Sequence, residues 1–431
     1  MMQPAHNIIP HLQTALTGPL QDIERHILDN QSRIEAWFAQ QWKQTPAPFY
    51  SSVDLRNAGF KIAPVDTNLF PAGFNNLNPE SMPLCIQATQ SALDRYEASE
   101  KVLIIPENHT RNRAYFASLA ALVDILTKAG CDVRIGSLLP DLEHPMEIPI
   151  NPDKRITLHP LLRTEERVHI ENFMPDLIIL NNDLTEGIPD LIKGITQPIT
   201  PSKQLGWWNR SKSAHFEQYH AVAEEFSQAF SLDPWLISPL HRQCGKIDFM
   251  NRTGVECLEK NVAALLEEIR KKYAEYRIDQ EPFVVIKADS GTYGMGVMIA
   301  HSTDDIKTLN RKQRTRMAAS KGGQHVTRVI LQEGVYTFES VSAEQSVAEP
   351  VVYMLNHFVV GGFYRIHKDR GPNENLNAPG MHFEPLAFTR ACIAPEPDTS
   401  PDAPPNRFYT YGVMARLALV AAAREMQEVS Q

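Results

Sequence analysis

Cysteine is scarce: five in 431 residues, at Cys85, Cys131, Cys244, Cys257 and Cys392, with no CxxC pair. So odd and scattered a set argues against a disulfide framework and a zinc site, and for reduced thiols in a cytoplasmic protein. Long apolar runs are missing too; none approaches the roughly 18–20 residues that span a bilayer. The opening MMQPAHNIIPHLQ has no basic region followed by an apolar stretch, so no secretory signal is expected. Lysine and arginine form no long cluster and the formal net charge is −9, which disfavours a nucleic-acid partner. The Walker A spacing, with its lysine after the glycines, is absent, as is any internal repeat. No Ser-His-Asp or Cys-His arrangement can be read from residue order. His109, His357 and His367 read as structural or rim residues.

What is present is ordinary globular composition, 43% apolar and 22% charged. The length exceeds one ordinary core and predicts two or three lobes. Helical periodicity runs from about 7 to 43 through Ile8, Leu12, Leu16, Leu20, Ile23, Ile27, Ile34 and Phe38, and Pro46 and Pro48 close it. Residues 49–79 alternate short apolar runs with Asp, Asn, Arg and Gly, and read as a functional loop system between strands. Residues 101–137 read as strand, polar turn, amphipathic helix and strand, a βαβ unit of a parallel sheet. PDLIILNND (175–183) adds a buried strand. The polar sets Glu107–Arg113 and Asn181–Asp183 fall at carboxyl ends of strands, where such sheets bind ligands. Helices are expected from about Ser213, over 254–275 and over about 410–427; 393–406 reads as an exposed linker.

The densest signal is FVVIKADSGTYGMGVMIA (283–300). A β-branched run ends in Lys287. Asp289, Ser290, Gly291, Thr292, Gly294 and Gly296 follow, and then a second apolar run. Strand, glycine-rich turn and strand let backbone N–H groups converge on a phosphate, with a lysine beside them. A buried glycine-rich hairpin with no ligand is the plain alternative.

Order, spacing and residue type together resemble an ATP-grasp enzyme. Lys287 and SGTYGMG resemble that fold's lysine and phosphate-covering hairpin, implying Ser290, Gly291, Gly294 and Gly296 around phosphate. LQEGV resembles its adenine-reading hinge, implying Gln332, Glu333 and Val335 around base and ribose. NRSKSAHF resembles the segment with the first ATP lysine, Lys212, with Lys246 a weaker substitute. IAPVDTNLFPAGFNNL looks like the metal-binding segment of eukaryotic glutathione synthetase, implying Asp66 and Asn68 as magnesium ligands. KVLIIPENHTRNRAYF looks like its glutamyl-binding strand and turn, implying Asn112; DLIILNNDLTEGIP resembles the next substrate strand, with Asn181 or Asn182 where that enzyme has an arginine. With YSSVDLRNAGFKIAPVDTN, KADSGTYGMGV and NENLNAPG, residues 7–428 are most similar to the proteobacterial glutamate–cysteine ligases of the permuted ATP-grasp type.

That resemblance implies an α/β and α+β chain: an ATP-grasp fold with an inserted parallel-sheet substrate domain. Residues 1–100 would supply an N-terminal helical segment plus metal and substrate strands, 101–200 a parallel α/β substrate domain, and 201–431 the ATP-binding lobes. It implies ATP and Mg2+ as cofactors, with glutamate and cysteine as substrates joined through an acyl phosphate. Lys212 and Lys287 would hold phosphates; Asp66, Asn68 and Glu374, with Asp289 a further candidate, would hold the metal. Arg365 would steady the acyl phosphate, and Arg56, Asn57, Asn112, Arg113 and Asn182 would hold substrate. Arg56 and Arg365 suit a carboxylate or phosphate because a guanidinium binds either bidentately. Trp207 and Trp208 read as core. Two alternatives stay open: a glutathione synthetase, and an ATP-binding regulator without catalysis. Residue order leaves a homo-oligomer open.

Overall fold

Residues 49–79, read as a loop system between strands, hold two paired strands of the first sheet, Ile62–Asn68 at its edge. A computed structural model describes residues 19–109, 111–291, 296–318, 325–341, 345–385 and 407–430. In it Tyr50–Asn57 pairs antiparallel with Ile62–Asn68, and Asp54 stands opposite Asp66. The strand alternates. Val53 and Leu55 are fully buried in the main core, while Asp54 and Arg56 lie on the other face. Polar residues that look like loop in sequence are thus the cleft-facing half of a strand.

The sheet is completed from far along the chain. Tyr50–Asn57 also pairs with Ser346–Leu355, which pairs with Phe358–His367, which pairs with His382–Pro385; every pairing is antiparallel. Gly361, at φ 141°, sits opposite Tyr353 where the register shifts, so a bulge interrupts the ladder there. The helix Arg407–Ser430 packs over Tyr50–Asn57 and Ile62–Asn68 and against the helix Lys212–Phe230. Val413, Leu417, Leu419 and Val420 are fully buried there, each stabilising by about 2 kcal/mol relative to exposure.

A second sheet occupies 101–200. Ile199–Thr200, Leu177–Asn181, Lys101–Pro106, Asp132–Ser137 and Lys154–Pro160 run parallel, with Met146–Asn151 antiparallel at one edge. The expected βαβ unit is present, its helix spanning Arg113–Lys128 and Gly130 following at φ 109°. A third, antiparallel sheet has the order His241–Gly245, Arg328–Glu333, Val284–Ala288, Val297–Ala300, over the amphipathic helix Val255–Glu275. The fold is mixed α/β with several sheets. Among the described residues no helix is long and apolar enough to cross a membrane.

Candidate active site

The first and third sheets face each other across a cleft. From one side come Asp54, Arg56, Asp66, Glu349 and Arg365; from the other Lys287, Ser290, Gly291, Gln332 and Val335; Lys212 enters from a helix start and Glu374 from the NENLNAPG loop. Four cations and at least as many carboxylates meet in one concave space, which is what anion handling requires.

The lysines converge on Asp66. Lys212 Nζ donates to Asp66 Oδ1 at 2.6 Å and lies 4.5 Å over the Trp207 ring. Lys287 Nζ donates to Val65 O at 2.8 Å and Gln332 Oε1 at 2.7 Å. Burial alone would raise the Asp66 carboxyl, but Lys212 and Lys287 outweigh it and hold it at about 2. Burial pushes Lys287 down to about 8, against the pull of Asp66. Asp289 sets the position of Lys212. Its oxygens accept from the Ser213 N–H at 2.8 Å, Ser213 Oγ at 2.9 Å and Gln243 Nε2 at 3.1 Å, fixing the helix start. That carboxylate is committed to capping, not to a metal.

The opposite wall is a chain of ion pairs. Arg365 Nη1 donates to Asp54 Oδ2 at 2.8 Å and also to Glu349 Oε1; Arg56 Nε donates to Glu349 Oε2 at 2.9 Å. Arg56 also donates to the carbonyls of Val335 and Glu374. Burial favours the neutral form of Glu349, yet Arg56 and Arg365 hold its carboxyl below the usual range. Asp54 is pushed up, first by burial.

Other expected site residues lie elsewhere or are engaged. Asn57 is buried, its Nδ2 donating to Tyr411 Oη at 3.0 Å. Asn68 Oδ1 accepts the Phe70 N–H at 2.9 Å, and Asn68 does not line the cleft. Asn112 caps the helix Arg113–Lys128 by accepting the Tyr115 N–H, and Arg113 is exposed at its first position. Asn182 Nδ2 donates to Pro106 O at 3.2 Å while its Oδ1 accepts the Leu184 N–H. Glu333 borders the cleft, but its carboxylate takes Lys61 Nζ at 2.6 Å and Trp235 Nε1 at 3.1 Å, and its N–H donates to Leu240 O. Gly296 gives its carbonyl to the Ala288 N–H and does not line the cleft; Gly294 lies outside the described residues. Lys246 is exposed and away from the cleft. Glu374 reaches the cleft, its carboxylate bonded to Arg370 and the Gly371 N–H. Trp207 is buried as expected, whereas Trp208 is 41% exposed. Among the described residues no three His, Cys, Asp or Glu side chains gather as a ready metal site.

Asp54, Glu349 and the amides Asn373, Asn375 and Asn377 line the cleft without having been expected there. Asp54 had a signal: it stands two before Arg56 on a strand, hence on the same face. Glu349 had none, since its pairing with Arg365 appears only once the two strands are in register.

Residues 24–426 match the family model of glutamate–cysteine ligase. The chain belongs to the glutamate–cysteine ligase family. As a member it is a ligase. A solved structure from Methylobacillus flagellatus, described provisionally as a γ-glutamylcysteine synthetase, is 55% identical; the match covers 98% of this chain and 99% of that one with a TM-score of 0.90. A glutathione synthetase-like effector from Globodera pallida is 10% identical over 81% of this chain and 77% of that one, with a TM-score of 0.35. D-alanyl-alanine synthetase A from Vibrio cholerae is 8% identical over 74% and 81%, with a TM-score of 0.32. Likeness at those two levels establishes no shared fold. No curated protein matches this ligase significantly.

Proposed function

We propose that the cleft joins the γ-carboxylate of glutamate to the amino group of cysteine, with ATP as phosphoryl donor, in an ATP-grasp arrangement. The observation that carries this is the meeting of Lys212, Lys287, Arg56 and Arg365 in one cleft beside Ser290 and Gly291. A γ-carboxylate oxygen attacks the γ-phosphorus, ADP leaves, and an acyl phosphate forms. The cysteine amine then attacks the acyl carbon and phosphate departs. Negative charge spreads over the phosphoryl oxygens during transfer, so cations placed beforehand do most of the catalysis.

Lys212 and Lys287 hold phosphates. Both are tethered in the free protein by groups a nucleotide can replace: Asp66 for Lys212, and Val65 O and Gln332 for Lys287. Arg365 steadies the acyl phosphate. Arg56 binds the amino-acid carboxylate, with Asn373, Asn375 and Asn377 as neighbouring amides. This replaces the substrate set Asn57, Asn112, Arg113 and Asn182. Magnesium brought with ATP would be held by the hard oxygens of Asp66 and of its cross-strand neighbour Asp54; Glu374 is bonded to Arg370 and the Gly371 N–H, and Asn68 does not line the cleft. Bound there, it would neutralise ATP oxygens. The parallel sheet of 101–200 acts as an inserted support for the substrate side, and the protein works in the cytoplasm on small molecules.

ADP release over a panel of amino acids tests the reading. Release should be fastest with glutamate plus cysteine and slow with glutamate alone, whose γ-glutamyl phosphate can cyclise. Preference for γ-glutamylcysteine plus glycine would replace this reading with a glutathione synthetase; ATP binding with no release for any pair would leave a regulator.

A further inference from the structure

Cys244 and Cys257 look unrelated in sequence, yet the fold sets their sulfurs 3.9 Å apart. Cys244 lies on the edge strand His241–Gly245 and is 1% exposed; Cys257 lies in the first turn of the helix Val255–Glu275 and is exposed. Asn261, one turn along the helix, donates its amide to Cys257 O at 3.0 Å and reaches Cys244 Sγ at 3.1 Å and Cys257 Sγ at 3.4 Å. One side chain therefore holds both sulfurs toward each other. A disulfide needs them at about 2 Å, an approach of about 2 Å for an exposed side chain on a helix end. Cys85 and Cys131 differ: both are buried, and burial pushes their thiols up to about 12 and about 11. Burial, reinforced by Cys257, pushes Cys244 up to about 11, so the exposed partner must react first.

We propose that Cys244 and Cys257 form a thiol–disulfide site oxidised in two steps by low-molecular-weight disulfides of the cystine type. The thiolate of Cys257 attacks one sulfur of the small disulfide. A bond forms between Cys257 Sγ and that half, the small disulfide breaks, and one free thiol departs. Cys244 then gives up its proton, attacks Cys257 Sγ and expels the second half. Two protein thiols become one intrachain disulfide, and one cystine becomes two cysteines that carry the two protons. The choice of cystine rests on the ligase reading, because cystine is the oxidised form of the amine substrate proposed above; the thiol chemistry stands without it.

The site connects to the cleft through one neighbour. Gln243, adjacent to Cys244, donates to Asp289, which caps the helix that starts at Lys212. Whatever part of the approach Cys244 shares with Cys257 pulls on that contact, and the linked protein should turn over at least threefold more slowly.

The test is incubation of the full chain with cystine, followed by intact mass and peptide mapping. The map also separates Cys392, which lies outside the described residues. A peptide linking Cys244 to Cys257, removed by dithiothreitol, is expected. Cys244→Ala should stop at one cysteinyl adduct on Cys257, and Cys257→Ser should carry neither adduct nor link. Absence of the link in the parent chain, or of the adduct in Cys244→Ala, would overturn the site. A fully linked protein with unchanged turnover would overturn its coupling to the cleft. Should the protein show no ligase activity, the ligase reading fails while the mass readout still decides the thiol site.

Discussion

Two polar regions of this molecule look alike in sequence and differ in structure. One is the carboxyl edge of the parallel sheet, with Glu107–Arg113 and Asn181–Asp183. The other is the cleft between the two antiparallel sheets. At the sheet edge the amides turn inward. Asn181 Nδ2 donates to Pro71 O at 2.9 Å, Asn182 to Pro106 O, and Asn112 caps a helix. Each is spent on backbone groups that would otherwise be buried without partners. In the cleft, four cations come together and three of them bond acids: Lys212 to Asp66, Arg56 to Glu349, and Arg365 to Asp54 and Glu349. Backbone needs explain an amide at a strand end. They do not explain converging charge, which costs several kcal/mol per ion to bury and persists where a ligand uses it.

Substitutions can break that contrast. The largest effect is expected for Arg365→Met, which strands Asp54 beside a Glu349 that keeps only Arg56. Unfolding by denaturant should show a loss of about 3–5 kcal/mol, as for a buried pair deprived of one partner; a loss under 1 kcal/mol would mean that water already screens the wall. Lys287→Ala should keep its circular dichroism and lose at least about a hundredfold in turnover, roughly 2.7 kcal/mol of transition-state stabilisation. Turnover within threefold of the parent would remove Lys287 from the chemistry.

The same lysine gives a pH test. With its proton leaving near pH 8 in the free protein, kcat/KM for ATP should be level below that value and fall about tenfold per unit above it. Stability runs the opposite way. Between about 8 and the ordinary lysine range the unfolded chain binds more protons, so this group's contribution rises with pH. A kcat/KM profile level to pH 9.5 would show that the proton is not needed.

Arg56→Ala should raise the glutamate KM by about tenfold and the cysteine KM far less, the mark of a carboxylate clamp. Equal effects would make Arg56 a brace for Val335 and Glu374. The smallest change belongs to the sheet edge. Asn112→Ala should cost about 1 kcal/mol as a lost helix cap and leave both KM values within twofold; a raised glutamate KM would return that edge to the substrate site.

Legibility followed physics. Lys287, Ser290 and Gly291 could be placed because a glycine hairpin beside a lysine has few other uses, whereas Lys212 and Arg365 came through the family resemblance. Helices and the βαβ unit were legible from periodicity. The bounds of Tyr50–Asn57 and Ile62–Asn68 were less so, because half their side chains face the cleft and mimic loop composition. Asn57, Asn68, Asn112 and Asn182 make bonds within the chain that residue order did not show, because an asparagine that caps a turn and one that binds a ligand share one pattern until partners are seen. Glu349 and the Cys244–Cys257 pair depend on strand register and helix packing, which composition does not carry.

The pairing of Arg56 with Glu349 joins residues 293 apart in the chain, and that of Arg365 with Asp54 joins residues 311 apart. During synthesis the first cleft wall must therefore wait with Val53, Leu55, Asp54 and Arg56 unclaimed until most of the chain has emerged. Non-local pairing of this kind slows folding and exposes sticky strands on the way. The protein should thus depend on chaperones for yield well before any weakness shows in its finished stability.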